Sequence, residues 1–271
     1  MSKPLSIFAS EVLRKSRSSL QRLPVRLIGG PMLMNTWSHK AITQMLGKMV
    51  GLKLPRLPKD LTNEFEASKY KNMAEEIAIP CRIIKACVIS GAITTEKVAK
   101  KTELKRYLRV LGHTAPVRLP KGAEVTMNVQ PVRTGGISKA PDLRARAHIP
   151  DGWHCDVVLQ FPPNLSVDQI VAAIEGAGHA IDLCDFRLEK GGEFGAFDVE
   201  FFEPKTEKEE QALVDRILKE CRHPEQQVQI PPHLLKAYNA LPEEKKDKAK
   251  KKITPLKRKG ATEDNGASAR S

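Results

Sequence analysis

The sequence predicts an α+β protein whose core follows a strand–helix–strand–strand–helix–strand order, with a helical insertion and a C-terminal helical extension. Two observations support this prediction. Apolar residues recur at helical spacing between residues 41 and 108, whereas from residue 123 onward they alternate with polar residues, as in half-buried strands. The chain of 271 residues is long enough for one large domain or two small ones.

The first half of the chain supplies one strand and several helices. Residues 25–30 form a short apolar run that ends at Gly-Gly-Pro, which indicates a strand followed by a loop. Apolar residues at helical spacing predict a helix over 41–49, and two prolines predict an extended loop over 52–63. Further helices are predicted over 80–88 and 97–108.

The second half supplies three more strands. Residues 125–129 alternate between apolar and polar, as a half-buried strand does, and residues 132–146 are irregular. Residues 154–161 are apolar enough to predict a central strand, and 197–202 form the last alternating strand.

Helix boundaries in this half follow from capping residues. Ser166 with Gln169 forms a capping box at the start of a helix that Gly178 is expected to end. A further helix is predicted over 207–221.

This order of elements is that of a ferredoxin-like sandwich. We expect residues 1–24 to form a basic arm and residues 25–204 to form the domain, with its helical insertion at about 52–122. Residues 205–242 are expected to form a helical extension. Residues 243–271 are almost free of large apolar side chains, and this composition predicts a disordered basic tail.

Composition and charge narrow the function classes. No run approaches the ~18 apolar residues of a membrane helix, so no membrane partner is expected. Five cysteines without a C-x-x-C pair favour a reducing, cytoplasmic compartment over a disulfide or zinc scaffold. Of the net charge of +13, residues 1–26 and 243–271 carry +5 each. A nucleic-acid site in the body therefore depends on how its charges are arranged.

Several motifs resemble those of one known superfamily. The segment LRARAHIPDGWHCDVVLQF, the helix after it and the loop GGEFGAF resemble the C-terminal half of RAMP-superfamily domains of the bacteriophage-encoded type. These are related to the backbone subunits of CRISPR effector complexes. LIGGPMLMN resembles the first strand and loop of the family, and IPCRIIKACVISGA resembles a helix of its insertion. The similarity covers about residues 26–202, and residues 205–271 have no counterpart.

The resemblance implies an RRM-type fold that binds single-stranded DNA or RNA, without a cofactor, and often assembles along the strand as a homo-oligomer. It also implies a cytoplasmic location, in the bacterial host if the chain is phage-encoded. Some RAMP proteins are instead metal-independent RNA endonucleases that use a histidine as general acid or base. His39, on the helix after the first strand, is the candidate for that alternative. An assembly protein with basic tails is the remaining alternative.

The glycine-rich loop is the first candidate site. Gly191, Gly192 and Gly195 would let a phosphate approach exposed backbone N–H groups. A tight connection between helix and strand, without a ligand, explains the same glycines. Asp182, Asp185, Glu189 and Glu193 flank the loop, but acidic loop residues are usually solvated, and no metal site is predicted.

Two basic clusters are the other candidates. Arg133, Lys139, Arg144 and Arg146 lie in or beside the irregular segment, where a basic loop can hold phosphates without reading sequence. The second cluster lies on the helix predicted over 97–108 and comprises Lys97, Lys100, Lys101, Lys105, Arg106 and Arg109. Without a ligand, the first cluster is explained as a solvated hairpin and the second as a solvated helix face. Aromatic residues make up only 5% of the chain, which argues against an aromatic stacking platform and predicts low sequence specificity.

Overall fold

The described part of the protein comprises residues 20–36, 39–49, 51, 59–94, 100–133, 141–226 and 232–240 of a computed structural model. The chain divides into a larger unit, Met1–Ser38 with Pro58–Val228, and a smaller unit, His39–Leu57 with Gln229–Ser271. Lys97, Lys139, most of the predicted basic arm and the whole of the predicted basic tail lie outside the described residues. No helix among the described residues is long and apolar enough to cross a bilayer.

The described elements follow in chain order. The strands are β1 (Gln21–Gly29), β2 (Met32–Met34), β3 (Ala78–Pro80), β4 (Arg109–Val110), β5 (Thr114–Pro116), β6 (Thr126–Arg133), β7 (Pro141–Ile149), β8 (Trp153–Phe161) and β9 (Phe197–Phe201). The helices are α1 (His39–Met49), α2 (Leu61–Ser68), α3 (Cys81–Gly91), α4 (Lys101–Tyr107), α5 (Val167–Ala180), α6 (Glu207–Glu220) and α7 (Pro232–Asn239).

A four-stranded antiparallel sheet in the order β4-β8-β1-β9 forms the centre of the larger unit. β8 pairs with the whole of β1, from Gln21 opposite Phe161 to Gly29 opposite Trp153. β9 pairs only with residues 25–29 of β1. Residues directly opposite one another project from the same face of the sheet, so this register assigns every strand residue to one of two faces.

Helices cover the two faces unequally. α3 and α5 pack together on the inner face, where Gly91 has no Cβ because one would overlap the backbone of Ala173. α6 covers part of the outer face with its buried Val214 and Ile217, and its Arg216 contacts Asp156 of β8 at 3.3 Å. The mixed α+β class with antiparallel sheets predicted from the sequence is thus confirmed.

Two smaller sheets complete the larger unit. β2, β7 and β6 form an antiparallel sheet in the order β2-β7-β6, and α2 packs on β7. The Ala147 N–H donates to the hydroxyl of Ser68 at 2.7 Å, which ties the end of α2 to this sheet. β3 pairs with β5 in a two-stranded ladder. In the smaller unit, α1 and α7 pack against each other, and Leu234 is buried.

The strands predicted over 25–30, 154–161 and 197–202 are confirmed as β1, β8 and β9. The capping box is also confirmed, because Ser166 accepts from the Gln169 N–H and the Gln169 side chain accepts in return.

The expectation that Gly178 ends this helix is wrong. α5 continues through Gly178 to Ala180. The missing side chain serves packing instead, because a Cβ there would overlap the carbonyl of Phe197 on β9.

The prediction that residues 125–129 form the second strand of the ferredoxin-like sheet is also wrong. Residues 125–129 lie largely within a strand, β6, but β6 pairs with β7 in the three-stranded sheet, and the strand beside β8 is β4. The segment 132–146 is not irregular throughout, since β6 runs to Arg133 and β7 begins at Pro141. Alternation identifies a strand, but its partner is set by tertiary contacts that sequence periodicity does not encode.

Candidate nucleic-acid interface

α4 and the strand that follows it carry a dense set of exposed basic side chains. We name this set the basic segment; it comprises Lys100, Lys101, Lys105, Arg106 and Arg109. Leu104 and Leu108 of the same stretch are fully buried and hold the helix on the core. Lys101 and Lys105 are four residues apart, so they lie on the same side of α4.

No described carboxylate lies within 4.0 Å of a cationic nitrogen of the basic segment. Other arginines of the larger unit are neutralised locally: Arg26 pairs with Asp156 at 2.8 Å and Arg82 with Glu225 at 2.9 Å. The basic segment is therefore a region where positive charge is exposed and unmatched, in the sense that it forms no ion pair within 4.0 Å, and such a surface attracts polyanions.

The basic segment lies close to the loop after α5. The hydrogen bond from Arg187 lowers the pKa of Glu189, and the charge on Lys101 adds to this shift. A cavity of about 530 Å³ beside this loop is lined by Arg82, Asp182 and Arg187, among others. Both of its arginines already pair with glutamates, so the cavity offers an anion little unmatched charge.

The four basic residues of the predicted phosphate-binding loop do not form one exposed cluster. Arg144 and Arg146 lie on β7, and only Arg144 is exposed. Arg146 is 4% exposed, and its Nε lies 2.6 Å from Oδ2 of Asp185. This contact is an ion pair outside hydrogen-bond geometry. The side chain of Arg133 lies outside the described residues, as does Lys139.

The predicted role of Arg146 as an exposed phosphate ligand therefore needs correction. Its guanidinium is buried and paired with Asp185, which lies in the loop after α5 and is itself partly exposed. Arg144, two residues earlier on the same face, remains open to solvent.

The glycine-rich loop also differs from the expectation. The N–H groups of Gly191, Gly192 and Gly195 donate to the carbonyls of Leu188, Arg187 and Pro31 at 2.8, 3.0 and 2.8 Å. These donors are already used, so the open phosphate cradle expected from the sequence is not formed. The glycines serve packing: a Cβ on Gly192 would overlap the Phe186 carbonyl, and one on Gly195 the Leu183 carbonyl.

The acidic residues around this loop are likewise engaged. Asp182 accepts from the Leu188 N–H at 2.9 Å, while burial raises the pKa of its carboxyl group. Asp185 pairs with Arg146, and Glu189 pairs with Arg187 at 2.7 Å. Among the described residues, no three histidine, cysteine or acidic side chains are grouped as metal ligands.

The outer face of the central sheet carries no aromatic platform along β8 and β9. Trp153, Phe161 and Phe197 belong to the buried core on the inner face. On the outer face, β9 presents the exposed acids Asp198 and Glu200. Nucleic acid is therefore not expected to stack across this part of the sheet.

Sequence reasoning missed one exposed arginine. The sequence places Arg22 in the predicted N-terminal arm, residues 1–24, but β1 begins at Gln21, so Arg22 occupies a defined position on the central sheet. The apolar run that predicted β1 starts three residues later, and for this reason periodicity did not include Arg22.

Comparisons with known proteins yield structural similarity alone. No family model matches the chain, and no curated protein matches it. Among solved structures it is similar to the type III-B Cmr-beta bound to cognate target RNA, with a TM-score of 0.43 and 13% identity. That match covers 73% of this chain and 65% of the other, so the chain spans less than two thirds of that neighbour.

A second similar structure is Cmr6 from Pyrococcus furiosus, with a TM-score of 0.30, 9% identity, and coverage of 68% and 99% of the two chains. These similarities do not assign a function. The resemblance to the phage-encoded type is not tested by them and stays a prediction. The side chain of His39, at the start of α1, lies outside the described residues, so the endonuclease alternative also stays untested.

Proposed function

We propose that the protein binds single-stranded DNA or RNA through its phosphate backbone, without catalysis and with low sequence specificity. The observation that carries this proposal is the exposed, unmatched charge of the basic segment. Contacts with phosphates fix a strand in place but do not distinguish its bases. The lack of an aromatic platform along β8 and β9 agrees with weak discrimination between sequences.

The proposed fold is a ferredoxin-like, RAMP-related domain over about residues 25–204. The order β4-β8-β1-β9, with α3 and α5 on one face, supports it, because a βαββαβ chain places its first and third strands at the centre. With β4 as the second strand, additional elements are inserted at two places, between β1 and α3 and between β4 and β8. These two insertions replace the single insertion expected at about 52–122. We propose a helical extension over 205–242 and a basic tail over 243–271.

The double substitution K101Q/K105Q tests the proposed function. Each lost phosphate contact flattens the slope of log affinity against log salt by about 0.7 for single strands. Two lost contacts should flatten it by about 1.4 and weaken binding about 60-fold at about 50 mM salt. Fluorescence anisotropy with labelled homopolymeric oligonucleotides measures both quantities.

The matched control is K208Q/K219Q on α6, which removes the same charge from exposed positions beside acidic residues. It should leave the slope nearly unchanged. Equal effects of the two double variants would show that only net charge matters, and the basic segment would lose its role.

Assembly along the strand belongs to the same proposal. If copies pack side by side, the mass of the complex should rise stepwise as the oligonucleotide is lengthened. Light scattering on the purified full-length chain measures this. A single protein per strand at every length is the result that excludes side-by-side assembly while leaving strand binding intact.

The proposed setting is the cytoplasm, that of the bacterial host if the chain is phage-encoded. The proposed partners are the strand and further copies of this chain, with no cofactor. No observation on the described residues favours the endonuclease alternative, which depends on His39.

A further inference from the structure

Three side chains form a row across one end of the outer face of the central sheet. Gln160 of β8 lies directly opposite Arg109 of β4 on one side and Arg22 of β1 on the other. Because directly opposite residues share a face, the three side chains project together. We name them the outer row. Since neighbouring strands lie about 4.8 Å apart, the backbones of the two arginines are separated by about 10 Å.

Gln160 is a buried polar residue without an internal partner. It is 9% exposed, yet its side-chain amide makes no hydrogen bond with any described residue. Its amide is also not among the fully enclosed polar atoms that lack a partner, so it retains access to solvent. The amide is therefore not held by any described residue and can exchange its water for a hydrogen bond to a bound ligand.

The arginines on either side are exposed and unmatched. Neither Arg22 nor Arg109 has a described carboxylate within 4.0 Å of its guanidinium. The acids of β9 lie farther along the sheet, opposite residues 26 and 28 of β1, because β9 does not extend to this end. The outer row therefore combines two free cations with one free amide donor.

We infer that the outer row binds one phosphodiester of a single strand whose neighbouring phosphates lie on the basic segment. The Gln160 amide donates to a phosphate oxygen, and the two guanidinium groups neutralise its charge from either side. Arg109 belongs to both sets, so the strand would run from α4 across the sheet edge toward the start of β1. This inference rests on the proposed function and adds the direction of the bound strand.

Two single substitutions in the full-length chain test the outer row with labelled homopolymeric oligonucleotides. R22Q should weaken binding about eightfold at about 50 mM salt and flatten the salt slope by about 0.7, because one phosphate contact is lost. Q160L should weaken binding about tenfold without changing the slope, because it removes a hydrogen bond to a charged group but releases no counterion. If Arg22 and Gln160 contact the same phosphodiester, the R22Q/Q160L variant should lose less binding affinity than the product of the two single fold-losses.

A third variant covers the case in which Q160L does not fold. Q160E places a carboxylate between the two arginines, which should preserve the fold and repel the phosphate, so binding should fall further than with R22Q alone. Thermal unfolding confirms that each variant is folded.

The outcomes distinguish a failure of the outer row from a failure of the proposed function. If K101Q/K105Q weakens binding while R22Q, Q160L and Q160E do not, the outer row is overturned and the proposed function stands. If the effects of R22Q and Q160L multiply fully, the two residues do not share one phosphodiester, and the inference fails. If K101Q/K105Q behaves like its control, the proposed function itself fails.

Discussion

Replacing Gly195 by alanine is expected to lower the free energy of unfolding by about 3 kcal/mol. Gly195 has φ +92°, a conformation that residues with a Cβ rarely adopt, and the added Cβ would overlap the carbonyl oxygen of Leu183. The backbone strain and the steric overlap act at the same position. The atom that the Cβ would meet is a backbone carbonyl oxygen, which cannot rotate away as a side chain could. Thermal or urea unfolding of the purified protein measures the loss.

Gly191→Ala is the matched control in the same loop. Gly191 has φ +77°, but a Cβ there meets nothing within 4 Å, so only the conformational cost of about 1 kcal/mol remains. Because the Gly191 N–H already donates to Leu188, this variant should bind single strands as the unaltered protein does. Equal stability of the two variants would mean that the packing of this loop differs from the one described.

Replacing Arg146 by glutamine should also destabilise the protein, by about 3 kcal/mol. The substitution leaves the enclosed Oδ2 of Asp185 without its cation, since Nε of Arg146 lies 2.6 Å from it. Asp185 retains some contact with water, which keeps the expected loss at the lower end for a broken buried pair. Chemical denaturation measures this loss directly.

Arg144→Gln is the control two residues earlier on β7. Arg144 is exposed, so its loss should change stability by less than about 0.5 kcal/mol. If R146Q instead keeps full stability and reduces strand binding as an exposed phosphate ligand would, Arg146 is a surface residue in solution and the buried pair is absent.

Local sequence patterns predicted most of the helices and strands well, but they predicted poorly which strands pair with one another. The capping box at Ser166 and the apolar run of β8 depend on residues near one another in the chain, and both are confirmed. The pairing of β6 with β7 depends on contacts that alternation alone does not contain. For the same reason the two-residue β4, too short to show a period, was missed as the edge strand of the central sheet.

Read alone, the sequence predicts that the protein is α+β, that β1, β8 and β9 are strands of its central sheet, and that basic residues cluster around α4. Each of these follows from local composition and period. The folded structure is needed to tell which cations are free: Arg144 and Arg146 look alike in sequence, but one is exposed and the other is paired with Asp185. It likewise decided that Gln160 lies between Arg22 and Arg109. These three residues are distant in the chain, and strand register alone brings them together.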